Sequence, residues 1–168
     1  TSLSKCCNGL IKRFSEDIDL TYDIRELIGD VVEATGGEPI PPTGAQETKW
    51  TKAVRERLPE WISSEVMPHL SQRITSAGLD LILRQEGDRV YLEYSREVGA
   101  PTYVSPWVLL EFGARSTGEP AKYGQATCDA ASALPALVFP DARPRFMDPR
   151  RTFWEKATAV HVFCLAEE

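Results

Sequence analysis

No run in this sequence approaches the roughly 18 apolar residues of a membrane-spanning helix, and no secretory leader is visible. Cysteine is sparse and unpatterned. Cys6, Cys7, Cys128 and Cys164 form no C-x-x-C pair and have no companion histidines at metal-binding spacing, which argues against a zinc site. Adjacent Cys6 and Cys7 are poor disulfide partners, so a reducing cytoplasm with free thiols is the expected setting. Positive charge is not in excess either. The net charge of -6 argues against a protein coated in nucleic-acid-binding surface, while leaving room for a local basic groove. Internal repeats and low-complexity tracts are absent as well.

What the chain does have is the make-up of an ordinary globular protein. It has 168 residues, 42% of them hydrophobic and 26% charged, enough for one domain with a core. Residues 1–10, TSLSKCCNGL, predict a short helix ended by Asn8-Gly9. Residues 16–22 alternate as a strand. Residues 23–33 carry apolar side chains at 24, 27, 28, 31 and 32, which is helical spacing. A loop rich in proline and glycine follows. Residues 47–77 read as a long helical stretch, broken or kinked at Pro59 and Pro68 and ended by Gly78. The period then changes to two. LDLILRQ and RVYLEYS flank Glu86-Gly87-Asp88 and predict an antiparallel hairpin, and PWVLLEFGAR predicts a third strand. STGEPAKYG reads as loop and ARPRFMD as a short strand. Asp148-Pro149 predicts an N-cap followed by proline at the first helical position. The helix it opens is expected to bury Phe153, Ala157, Val160 and Cys164 along one stripe, with Trp154 also in the core. Interleaved helices and strands, antiparallel in the middle, predict an α+β fold.

Within the first strand, FSEDIDL places Asp17 and Asp19 two positions apart, with Ile18 and Leu20 on the other face. Alternate side chains of a strand share a face, so the carboxylates project together, about 7 Å apart along the chain. They can reach one divalent ion, or a pair of ions about 4 Å apart. Mg²⁺ suits such oxygen ligands and fills its shell from waters and substrate phosphates. A plain solvated strand face is the competing reading. A third acid shifts the balance. Glu111 stands in WVLLEFGA on the face opposite Leu110 and Phe112, where a carboxylate is costly unless paired or metal-bound. Arg115 or another arginine is the alternative partner, and Glu93 in the hairpin is the rival third acid. Two acids on one strand and one on a neighbour form the set that two-metal phosphoryl transfer uses.

TSLSKCCNGLIKRFSEDIDL closely resembles the opening motif of the AbiEii/AbiGii-type nucleotidyltransferase toxins, a branch of the DNA polymerase β superfamily. RRTFWEKATAVH resembles that family's second signature, and LLEFGARSTGEP resembles the strand and loop between them. The resemblance implies an α+β nucleotidyltransferase core: a small mixed β-sheet flanked by helices, with nucleotide and metals across one sheet face. It implies that Asp17, Asp19 and Glu111 hold Mg²⁺ or Mn²⁺, and that Glu111 orients or deprotonates the acceptor hydroxyl. Thr1 and Ser2 follow the place of the family's glycine pair, whose amides would cradle nucleotide phosphates. Lys156 takes the place of the signature lysine that neutralises triphosphate, and Arg151 lies in the same signature. The family transfers nucleotides from an NTP to an RNA acceptor, with tRNA among the targets. It pairs with an antitoxin protein and is linked to phage defence. Its pattern has glycines ahead of Thr1 and continues past the second signature. Residues 1–168 are therefore expected to be a single nucleotidyltransferase domain truncated at both ends.

Two other readings stand beside this one. Transfer to a small-molecule or protein hydroxyl keeps the chemistry and suits the acidic net charge. An inactive truncated remnant would bind nucleotide or a partner without turnover. Arg143, Arg145, Arg150, Arg151 and Lys156 make a basic stretch that either tracks triphosphate or RNA backbone, or is a surface cluster paired with acids.

Overall fold

The computed structural model describes residues 17–95, 105–113 and 117–166. The expected first helix, with Thr1 and Ser2, lies outside the described residues. The chain divides into two compact units, one of Ser15–Thr117 and one that includes Gly118–Glu168.

The larger unit runs β1 (Asp17–Leu20), α1 (Ile24–Glu33), α2 (Gly44–Trp61), a π-helical turn (Ile62–Val66) and α3 (Met67–Ser76), then β2 (Leu81–Glu86), β3 (Arg89–Tyr94) and β4 (Trp107–Phe112). The strands form one sheet in the order β1-β4-β3-β2, with β1 parallel to β4 and the other pairings antiparallel. The α+β expectation, a small mixed sheet with helices against it, holds.

Strand alternation explains how the sheet is sided. Val90, Leu110 and Phe112 are buried in one cluster with Ile28, Val32, Trp50 and Ile62 from the helical segments. Their strand neighbours Arg89, Leu109 and Glu111 therefore project from the opposite face. Helix α1 presents Ile24, Leu27, Ile28 and Val32 to this core, as the spacing predicts, and Asp23 caps it by accepting from the Arg25 N–H at 3.0 Å. Ile18 shares the core-facing side but stays half exposed, because β1 is an edge strand.

Pro59 does not break its helix. It sits inside α2, and the chain passes directly through the π turn into α3, where Pro68 occupies the first turn. Pro68 follows the π turn directly, and the wider bonding there, with the Met67 N–H donating to the Ile62 carbonyl, lets the helix run on past a residue that has no N–H to give. Ile62, fully buried in that turn, and the Pro59 carbonyl, which accepts from Gln85 Nε2 at 2.8 Å, hold the segment in place. The hairpin closes on Gly87-Asp88, with Gly87 in the left-handed region at φ 61 that a two-residue turn requires.

In the smaller unit, β5 (Ala121–Tyr123) and β6 (Arg145–Met147) pair antiparallel, and α4 spans Pro149–Ala166. Two expectations are corrected here. Residues 121–123, read as loop, form β5, because β6 and the bridge between Ala126 and Ala142 give them a partner that local sequence does not reveal. The stripe on α4 is not buried: Phe153, Trp154, Val160 and Cys164 are exposed. Val162, Phe163 and Leu165 are exposed as well, so the apolar residues of α4 circle the helix instead of marking one face. Among the described residues, no helix is long and apolar enough to cross a membrane.

Candidate active site

Register brings the three acids together. Asp17 pairs with Leu109 and Asp19 with Glu111 across the parallel β1–β4 ladder. Both aspartates thus share the face of Glu111, away from the core. One carboxylate oxygen from each of Asp17, Asp19 and Glu111 lies within 4.8 Å of the other two. Asp17 and Glu111 are half-buried and Asp19 is exposed. Oxygens of three acids at that spacing suit a hard divalent cation that keeps waters and takes further ligands from phosphate.

The next strand continues the row. Arg89 on β3 stands opposite Glu111, and its Nη2 lies 3.3 Å from Glu111 Oε1. The sequence predicts Arg115 or another arginine for this partner. Arg115 lies outside the described residues, and Arg89 fills the role. An open cleft of about 420 Å³ borders this row, lined by Asp19, Glu86, Asp88, Arg89, Glu111 and the turn into Gly113. Glu86, Asp88 and Arg89 were not singled out from sequence. The hairpin turn that places them was legible, but the register of β3 on β4 was not.

The rival third acid stands apart. Glu93 pairs with Trp107, two residues from Leu109, and its Oε1 accepts from Arg84 Nε at 2.6 Å. Arg84 also pairs with Glu86 and lies over the Tyr91 ring, 4.1 Å from its centroid. Against the core, Tyr22 packs on Trp61 with ring centroids 5.5 Å apart. Burial, with Asp88 as a second cause, pushes its phenol up to about 12, so it stays protonated at neutral pH.

The remaining predicted site residues lie elsewhere in the chain. Lys156 and Arg151 are on α4 of the smaller unit, Lys156 exposed. Arg151 donates through Nε to Glu155 at 2.9 Å and through Nη1 to the Glu119 carbonyl. Its basic neighbours are also held by acids: Arg143 by Asp141, Arg145 by Glu119 and Arg150 by Asp148. Of the two readings of that stretch, pairing with acids describes these four arginines.

A family model described as nucleotidyl transferase AbiEii toxin, type IV TA system, matches residues 1–166. No curated protein and no solved structure matches the chain.

Proposed function

We propose, because the chain belongs to the AbiEii family of nucleotidyl transferase toxins of type IV toxin–antitoxin systems, that its acid cluster is the metal centre of nucleotidyl transfer to RNA. Asp17, Asp19 and Glu111 would hold Mg²⁺ or Mn²⁺, and the acceptor would be a tRNA end. The observation that carries this reading is the convergence of three carboxylates from two strands far apart in sequence. Bound there, a divalent ion supplies Lewis-acid activation of the acceptor hydroxyl and neutralises the departing pyrophosphate.

The chain's own residues do the rest. Asp17 and Asp19, fixed on one strand face, set where phosphate oxygens can approach. Glu111 orients the acceptor hydroxyl and takes its proton as the new bond forms. The acceptor oxygen attacks the α-phosphorus, the bond to the bridging oxygen breaks, and pyrophosphate leaves. Thr1, Ser2, Arg151 and Lys156 are the proposed contacts of the NTP phosphates, on the strength of the two signatures. A cognate antitoxin protein is the proposed partner and the cytoplasm the proposed location.

A second reading keeps the chemistry and changes the acceptor to a small-molecule or protein hydroxyl. The net charge of -6 and the pairing of Arg143, Arg145, Arg150 and Arg151 with acids favour it.

Incubation with each labelled NTP, Mg²⁺ or Mn²⁺, and total tRNA tests both readings beside Asp17→Ala/Asp19→Ala. The expected result is label on RNA, reduced in the double variant by more than roughly 100-fold, since even outer partners of metal ligands carry 10- to 100-fold effects. Label on the protein or on an added small alcohol would favour the second reading. NTP binding with no label anywhere would mark a chain that binds without turnover.

A further inference from the structure

We infer that Arg89 is a phosphate-contacting residue of this cleft, parked on Glu111 until a divalent ion takes that carboxylate. The inference rests on the reading of Asp17, Asp19 and Glu111 as metal ligands. Three observations lead to it.

The first is charge. Among the described residues lining the cleft, Asp19, Glu86, Asp88 and Glu111 are acids and Arg89 is the one base. The second is partnership. Glu86, directly opposite Arg89 on β2, is engaged by Arg84, and the carboxylate that Arg89 meets is Glu111 at 3.3 Å. The third is accessibility. The side chains of Arg89 and Glu111 are 55% and 35% exposed, and ion pairs so open to water are weak and easily exchanged.

Consider what a cation does to that arrangement. Glu111 cannot give full charge to a divalent ion and to a guanidinium at once, and the two positive groups repel. Arg89 is therefore displaced toward the open side of the cleft, where the phosphates that complete the ion's shell arrive. The planar guanidinium fork matches phosphate oxygens in pairs. The same side chain thus opposes the ion before substrate binds and draws the polyphosphate once the ion is in place.

This predicts effects of opposite sign, which a merely structural role would not produce. Mn²⁺ binding, read by electron paramagnetic resonance on the protein without nucleotide, should tighten roughly threefold in Arg89→Gln, the scale of an exposed ion pair. Binding of each NTP at saturating Mn²⁺ should weaken roughly tenfold in the same variant, the scale of a charge-assisted hydrogen bond. Arg89→Lys should recover part of the NTP affinity without the fork geometry. If Arg89→Gln leaves both affinities unchanged, or weakens both together, the inference fails while the metal reading stands. If the unmodified chain binds no Mn²⁺, or Asp17→Ala/Asp19→Ala binds it equally well, the metal reading fails and takes the inference with it. Circular dichroism of both Arg89 variants checks that the fold is retained.

Discussion

Asp30 and Arg57 are joined by geometry that titration can read. Arg57 Nη2 donates to Asp30 Oδ2 at 2.9 Å, and Nη1 reaches both Asp30 and the Leu27 carbonyl, so one guanidinium ties α2 to α1. Hydrogen bonding to Arg57 holds the Asp30 carboxyl down at about 2, from an ordinary value of 3.8. A depressed carboxylate stabilises the fold fully above its unfolded value, and that contribution is lost as pH falls through the folded one. Asp30→Asn should therefore unfold at lower urea than the parent at pH 7. The difference should vanish between about pH 4 and pH 2. The site shows where such residue-scale detail stops being legible in sequence. Two aspartates at alternate positions, and a glutamate facing away from Leu110 and Phe112, follow from strand periodicity alone. The Arg89–Glu111 pair does not, because it depends on which residue of β3 lies opposite residue 111. That register is set by the packing of Val90 and Leu110 in the core, not by any local pattern.

Among the elements, α4 puts its start signal to work. The Asp148 carboxylate accepts from the Arg150 N–H at 3.0 Å, and Pro149 opens the helix. Asp148→Ala should fray the first turn, lowering helical ellipticity and the urea midpoint, while Asp148→Asn should keep most of both. Caps and amphipathic spacing made α1 and the start of α4 readable, since both are local. Three features escaped because their causes are tertiary. Pro59 stays inside its helix, where its neighbours Leu58 and Ile62 are buried and its carbonyl accepts from Gln85. β5 exists only because β6 pairs with it, and α4 carries apolar residues on every side. An all-round apolar helix gives no stripe to read.

For the larger unit as a whole, Trp50 is the test of the core. It is 2% exposed, and its cluster joins α1, α2, the π turn and the sheet. Trp50→Ala should reduce stability by about 3–5 kcal/mol in urea denaturation, through lost burial and an unfilled cavity. Trp50→Phe should lose much less. It keeps most of the apolar bulk and removes an indole N–H that has no hydrogen-bond partner among the described residues. The acid cluster should lose Mn²⁺ binding in step with that unfolding, because it is built on the sheet's other face.

The parallel pairing of β1 with β4 has a consequence for when the acid cluster can assemble. Asp19 and Glu111 face each other across 92 positions (111 − 19), and closing a loop of that length carries a chain-entropy term of about 4 kcal/mol. The hairpin of β2 and β3 closes over two residues and has no such barrier. On a ribosome, the aspartates emerge first and wait while the helices and the hairpin are made. Until β4 has left the exit tunnel, the third carboxylate has nowhere to stand. The acid cluster is thereby assembled only when the sheet closes, after the helices and the hairpin between its two strands have been made.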